Sequence, residues 1–341
     1  MTLIRTSNFR ACALPANLQP RGNRAATRPK GTTVNAVIDA PLAANLHREL
    51  RGFVAAGSTE VTAHDEKSLD EMARLLPAGY RVYVAHTPKE SLDDVVRVAL
   101  RVKSLGFTPS PHLVARRVLD VEALRRSLLT LTRAGIEQIL LVAGDRAEPG
   151  CPFTSTIDLL ETGMLTETGI TRVGVAGHPE GHPAVPDEVI WKAIERKQAI
   201  ARATGLRMHI ATQFGFDARS LTQFEGGLAG RGITLPIHAG VAGPTPFTKL
   251  LKYAAFCGVG ASLRAVAGNS LSVSKLTHLV TRSDEMVIGV YRAKQANPNS
   301  RIFAPHFFAF GGVLETSRWL RAVIEGHFEL DTAERGFSIK T

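Results

Sequence analysis

The chain has 341 residues, a net charge of +10 and 44% hydrophobic content, enough for a large core. It has no apolar run near the roughly 18 residues of a spanning helix, which argues against a helical membrane protein. Cys12, Cys151 and Cys257 show neither metal-ligand spacing nor the even count of a disulfide framework, which suits a reducing cytoplasm.

Residues 1–38 carry Arg5, Arg10, Arg21, Arg24, Arg28 and Lys30 with no Asp or Glu, so more than half of the net charge sits there. Such an arm suits polyanion contact and also resembles a transit peptide. The favoured reading is a poorly ordered bacterial extension over 1–45, followed by one folded domain over 46–341. The body is mildly basic and lacks a basic-aromatic stripe, so nucleic acid is a disfavoured partner.

From about Val54, short apolar runs alternate with helical patterns, as in βα units. The expected strands are Val54–Ala63, Arg81–His86, Pro109–Ala115, Gln138–Ala143, Arg172–Gly177, Arg207–Gln213, Leu235–Val241 and Arg301–Phe310. Val121, Leu124, Leu128 and Leu131 have the spacing of one buried helix face. Residues 258–300 exceed one connection, which predicts an extra helical segment. Eight such units favour a closed (β/α)8 TIM barrel, of class α/β, with an N-terminal basic extension. No strand is followed by the G-x-G-x-x-G fingerprint of a dinucleotide fold.

A barrel of this kind builds its active site at the carboxyl ends of its strands. The polar residues expected there are Glu60, His86, His112, Asp145, His178, Glu180, His182, Gln213, Asp217 and His238. Two segments stand out, Gly177-His178-Pro179-Glu180-Gly181-His182-Pro183 and Thr212-Gln213-Phe214-Gly215-Phe216-Asp217. They combine hydrogen-bonding groups with flat apolar surface, which suits a heteroaromatic cofactor and a ring-shaped substrate. His178, Glu180 and His182 sit too close together on a Pro-interrupted turn to converge readily on one metal ion.

With Ser110-Pro111-His112-Leu113, Val142-Ala143-Gly144-Asp145 and Gly240-Val241-Ala242-Gly243-Pro244-Thr245-Pro246-Phe247, these segments make five motifs in order. From about Glu60 to Arg318 the chain resembles the methylenetetrahydrofolate reductase family, as a catalytic barrel alone. The resemblance implies an FAD-dependent oxidoreductase of one-carbon metabolism acting on CH–NH donors. It implies interconversion of 5,10-methylenetetrahydrofolate and 5-methyltetrahydrofolate, with NADH or NADPH as hydride partner. It also implies tetrahydrofolate derivatives as ligands, a homo-oligomer, and a place in methionine biosynthesis.

Residue by residue, Glu60 matches the family's general acid, and Asp145 a carboxylate that reads the pterin near the flavin. Gln213 matches a pterin-reading amide, and Phe247 an aromatic that stacks on folate or nicotinamide. His112, Ala143, Gly144, Asp145, Ala176, His178 and His182 match flavin-contacting positions. Lys197 matches a flavin-phosphate contact, and Ser155 and Thr156 fall on the adenosine side. Read without the resemblance, Asp145 suits a helix cap, Gln213 a buried amide, Lys197 a solvated helix face and Phe247 a core ring.

The chain also departs from the pattern. Ala143 stands for an arginine, Ala85 for a hydroxyl residue, His178 for an aromatic, and Gly312 where a substrate-side arginine is common. Val61-Thr62-Ala63-His64 replaces the phenylalanines and prolines that usually follow the acid. Arg116, Arg117 and Arg146 are candidates to restore positive charge near the folate's glutamate tail. These departures, together with the basic arm, keep three alternatives open. They are methyltetrahydrofolate oxidation with a non-nicotinamide acceptor, a non-redox folate-binding barrel, and a basic protein acting through its first 38 residues.

Overall fold

The computed structural model describes residues 40–215, 217–246 and 283–340. Eight parallel strands close into a barrel in sequence order. They are β1 (Ser58–Val61), β2 (Arg81–Val84), β3 (Thr108–Val114), β4 (Gln138–Val142), β5 (Arg172–Gly177), β6 (Arg207–Gly215), β7 (Ile237–Ala242) and β8 (Ile302–Phe308). The barrel closes where Ser58 pairs with His306 and Thr59 with Phe307. Each strand read from the sequence is present, and the β5 bounds coincide. The first is much shorter than expected, because helix α1 (Ala40–Ala55) occupies its start. That helix also begins before the expected boundary at 46.

The helices between strands form because their caps and apolar faces agree. Helix α2 spans Leu69–Leu75. Helix α3 (Leu92–Ser104) starts at Ser91, whose hydroxyl accepts from the Asp94 N–H while the Asp94 carboxylate accepts from the Ser91 N–H, both at 3.1 Å. Helix α4 (Val121–Arg133) starts at Asp120, which accepts from Glu122 and Ala123 N–H groups at 2.9 Å. Leu124, Leu128 and Leu131 are buried, as their spacing predicts. Short helices α5 (Thr156–Glu161) and α6 (Met164–Glu167) precede β5. Helix α7 (Asp187–Thr204) ends at Gly205, whose φ of +74° gives the left-handed turn glycine tolerates. Helices α8 (Ala218–Gly230), α9 (Ser283–Ala296) and α10 (Val313–Glu325) complete the ring. Helix α9 lies in the segment expected to hold an extra helix. An antiparallel pair, β9 (Phe328–Leu330) and β10 (Phe337–Ile339), follows.

Alternation along the strands sorts side chains into two sets. Val82, Val84, Leu113, Ile139, Leu141, Val173, Val175, Ile210, Ile237 and Val241 are buried in the main apolar core. Their neighbours of opposite parity fill the barrel, in layers drawn from alternate strands. Tyr83, Leu140 and Ala211, from β2, β4 and β6, pack together as one such layer, and His306 of β8 lies 4.6 Å from the Tyr83 ring. The layer above, toward the carboxyl ends, takes Glu60, His112, Ala176 and Gly240 from β1, β3, β5 and β7 by register. Closure of the barrel therefore gathers into one layer residues that lie far apart in the chain.

Candidate active site

Glu60 is the third residue of β1 and is half-buried at the carboxyl end of the barrel. Burial pushes its carboxyl up to about 8, and the negative charge of Asp65 adds to the rise. Asp65 is fixed in place, accepting from the Thr62 N–H at 2.9 Å and the Thr62 hydroxyl at 2.8 Å. The Thr62–Asp65 turn that replaces the expected phenylalanines thus supplies a like charge that favours the protonated acid.

The loop after β4 turns at Gly144, with φ +89°. A Cβ there would lie 2.6 Å from Cγ1 of Val114, so both conformation and space require glycine. Arg116 binds this loop. Its guanidinium donates to the Gly144 carbonyl at 2.8 Å and the Thr154 carbonyl at 2.6 Å, and its backbone N–H to the Ala143 carbonyl at 3.0 Å. Arg117 donates to the His86 carbonyl at 3.0 Å. Both guanidiniums are engaged with backbone, which leaves exposed Arg146 as the freer of the three expected charges. Asp145 is exposed on the same loop.

His112 and His178 each keep a buried ring nitrogen without a partner among the described residues, Nε2 and Nδ1 respectively. Burial, then the proximity of His86, lowers His112 to about 3. Burial, then His182 and Lys197, lowers His178 to about 4. Both rings are therefore neutral at neutral pH. His182 packs edge-on to His178 at 5.1 Å, and its Nδ1 accepts from the Ala184 N–H at 3.1 Å. Lys197 is buried in α7, 8% exposed, and burial lowers its ammonium to about 8. Among the described residues no carboxylate pairs with it. It is not the solvated lysine that a helix face suggests.

Ser155 caps α5, accepting from the Asp158 N–H at 3.3 Å and donating to the Asp158 carboxylate at 2.8 Å. Thr156 is buried in the first turn of α5. Asp217 likewise caps α8, accepting from the Arg219 N–H at 2.9 Å. Its role is local.

Gln213 sits at a bulge where the β6–β7 register shifts between Ala211 and Phe214. Such bulges re-aim a side chain. The Thr212 hydroxyl donates to the Gln213 carbonyl at 3.0 Å and accepts from the Gly240 N–H at 2.8 Å. A cleft between the β5 and β6 ends is lined by His178, Glu180, Gln213, Gly215, Gly240 and Met286. It brings together members of the two segments singled out in the sequence. Phe214, Phe308 and Phe310 form an aromatic cluster beside it, with Phe214–Phe310 centroids 4.9 Å apart. Phe310 has φ +47°, an outlier for a bulky side chain and the kind of strain found at functional sites. Phe247 lies outside the described residues.

Several polar residues were missed in the sequence. His209 and His306 lie in the barrel with Tyr83, whose hydroxyl is 2.8 Å from His209 Nε2, and Ser58 Oγ is 2.9 Å from His306 Nδ1. His238 belongs with them, 4.5 Å from His209, rather than at a strand end as expected. Strand β7 runs from Ile237 to Ala242, so position 238 is at the foot of the barrel. The available signal was a polar residue alternating with apolar core positions of its own strand, as Tyr83 does with Val82 and Val84 and His209 with Met208 and Ile210.

Among the described residues no three His, Cys, Asp or Glu side chains are grouped to hold a metal ion. None of the described helices is long and apolar enough to cross a membrane.

Two dihydropteroate synthases are similar in structure. That of Thermus thermophilus is 13% identical with a TM-score of 0.40, over 79% of this chain and 92% of that one. That of Xanthomonas albilineans, solved with 4-aminobenzoic acid, is 15% identical with a TM-score of 0.39, over 77% and 90%. Residues 64–263, more than half of the chain, match the family model described as methylenetetrahydrofolate reductase. The match covers the loops bearing His112, Asp145, His178 and Gln213, and this chain belongs to the methylenetetrahydrofolate reductase family.

Proposed function

We propose that this chain interconverts 5,10-methylenetetrahydrofolate and 5-methyltetrahydrofolate, with FAD as its cofactor and NADH or NADPH as co-substrate. The observation that carries the reading is Glu60, a desolvated carboxyl held protonated near neutral pH among the inward residues of the barrel mouth. Opening the methylene bridge requires a proton on a folate nitrogen, and an acid with a raised pKa can deliver it at pH 7.

The residues present fit FAD. His112 Nε2 and His178 Nδ1 are buried and unpartnered among the described residues, Gly144 lets backbone approach where a side chain would clash, and Lys197 is a buried cation suited to a phosphate. FAD, when bound, supplies hydride transfer. The protein's part is to orient and to move protons. Gln213 offers a donor and an acceptor to the pterin edge, and Asp145 offers acceptors for its amino-pyrimidine face. Glu60 gives up its proton when methylenetetrahydrofolate is reduced and takes one when methyltetrahydrofolate is oxidised. Free Cys151 suits a reducing compartment. We place the enzyme in the cytoplasm as a homo-oligomer.

The departures at Ala143, Ala85 and Gly312 favour a second reading, oxidation of methyltetrahydrofolate with a different electron acceptor. The test is a visible spectrum of purified protein, followed by separate anaerobic additions of NADH, NADPH and methyltetrahydrofolate. Bleaching of flavin bands by a nicotinamide supports the reductase. Bleaching by methyltetrahydrofolate alone supports the oxidative enzyme. A protein that takes up no FAD refutes both.

A further inference from the structure

The foot of the barrel, opposite the mouth, gathers positive charge. Arg172 and Arg207 are the first residues of β5 and β6, and Arg301 directly precedes β8. The strands are parallel, so all three stand at the same end. Helices return to that end, and Arg74 of α2, Arg133 of α4 and Arg202 of α7 lie in their last turns. All are exposed except Arg172, which is half-buried. Arg97, Arg101 and Arg125 on the flank meet Glu66, Asp70 and Glu167, whereas none of the foot arginines named has a carboxylate partner among the described residues.

Acidic residues are scarce there. The connections that lead from a helix into a barrel strand hold one carboxylate among the described residues, Glu137, which accepts from the Thr171 hydroxyl at 3.0 Å. Glu225 is buried and turned onto Ser300 at 2.8 Å. Glu195 and Glu325 are taken by Arg231 and Arg321. A basic last turn offsets the negative end of a helix, which accounts for Arg74, Arg133 and Arg202. It does not account for Arg172, Arg207 and Arg301, which begin strands.

The face is also flat. Gly205 and Leu206 alone join α7 to β6, and Leu105 to Phe107 join α3 to β3. Phe303 of β8 is 46% exposed on it, with the Arg81 guanidinium 5.2 Å from its ring. A second copy of the same face would set arginine against arginine. Single-stranded nucleic acid calls for a groove with free rings to stack on, and the Phe303 ring is already stacked on His238 at 5.4 Å. A planar array of cations around an exposed aromatic matches an anionic bilayer, where arginines meet lipid phosphates and an aromatic ring sits at headgroup level.

We propose that the foot of the barrel is a peripheral docking face for an anionic lipid surface, held by Arg172, Arg207 and Arg301 with Phe303 at the contact. Docked this way, the end bearing Glu60 faces the solution and stays open to small ligands. The face is separate from the candidate active site, so the inference does not depend on the functional reading above.

The test is co-sedimentation of the full chain with vesicles of phosphatidylcholine, with and without phosphatidylglycerol, at low and high salt. Wild type should sediment with the anionic vesicles alone, and only at low salt. Replacing all three arginines, as Arg172→Gln, Arg207→Gln and Arg301→Gln together, should weaken binding about a hundredfold. The flank triple Arg97→Gln, Arg101→Gln and Arg125→Gln removes the same charge and should weaken it by less than about threefold, since those arginines are already paired. Equal losses in the two triples would reduce the effect to net charge and overturn the proposal. An unaffected foot triple would assign binding to the basic first 38 residues and overturn it too. So would binding to neutral vesicles, no binding at all, or tighter binding of a homopolymeric RNA that the foot triple abolishes. Should the foot triple fail to fold, wild type decides. Anionic vesicles should shield Arg172, Arg207 and Arg301 from phenylglyoxal, and equal modification with and without vesicles overturns the assignment.

Discussion

Gly240 of β7 packs directly against the backbone of Gln213. A Cβ on Gly240 would lie 2.5 Å from the Thr212 carbonyl oxygen and closer still to that of Gln213. The bulge that aims Gln213 therefore depends on a missing side chain one strand away. Gly240→Ala must shift the β6 backbone, since no flexible side chain can give way. The expected outcome is a loss of about 1–3 kcal/mol of stability and a raised KM for the folate. Denaturant titration and steady-state kinetics check both, and an unchanged KM would separate Gln213 from substrate.

Glu60→Gln keeps the shape of the acid and removes its proton. Folate turnover should fall about 10²–10⁴-fold while nicotinamide oxidation continues. In wild type the acid is protonated below about 8. Methylenetetrahydrofolate reduction should therefore decline as pH rises through 8, and methyltetrahydrofolate oxidation should rise over the same range. Rapid-mixing measurement of each half-reaction against pH tests this. Equal loss of both half-reactions in Glu60→Gln would remove the general-acid role.

Lys197 is lowered from 10.5 to about 8 by burial, so keeping it charged at neutral pH costs about 3 kcal/mol, an order-of-magnitude figure. Because the folded value is depressed, this penalty grows as pH falls from 10.5 to 8 and is constant below. Lys197→Met should raise the melting temperature of the FAD-free protein at pH 7 and weaken FAD binding about tenfold or more. Calorimetry and flavin titration measure the two effects. A variant that is less stable and binds FAD normally would make Lys197 a packing residue.

His112, His209 and His306 are depressed to about 3, 4 and 3, chiefly by burial. Their neutral forms are folded in, whereas an unfolded histidine titrates near 6.5. Stability from this source is complete above about 6.5 and is lost as pH falls toward 4, by about 1.4 kcal/mol per histidine per pH unit. Urea midpoints should drop between pH 7 and 5. His209→Gln should flatten that dependence, and a variant as acid-sensitive as wild type would clear His209 of the effect.

Much of the site was legible because strand ends and glycine turns are local. Val142-Ala143-Gly144-Asp145 and the His178–His182 turn follow apolar runs whose length and parity announce a strand and its mouth. Ser155 and Asp217 were less legible in role, because a cap and a ligand contact use the same side-chain chemistry. Their use as caps follows from where α5 and α8 begin. Tyr83, His209 and His306 were missed because each sits within a largely apolar strand, and His238, expected at a strand end, joins them at the foot of β7. Only closure of β1 against β8 brings Ser58 to His306.

The sequence by itself determined the βα rhythm, the strand positions, the buried stripe of α4 and the order of motifs that marks the family. Those features depend on residues a few positions apart, where spacing maps directly onto one face of a helix or strand. Tertiary structure alone decided the environment of each site residue. The raised acid at Glu60, the buried charge of Lys197 and the neutral ring of His112 arise from burial and from partners on other elements. Solvation and long-range pairing set proton affinity, and neither is carried by a residue's immediate neighbours in the chain.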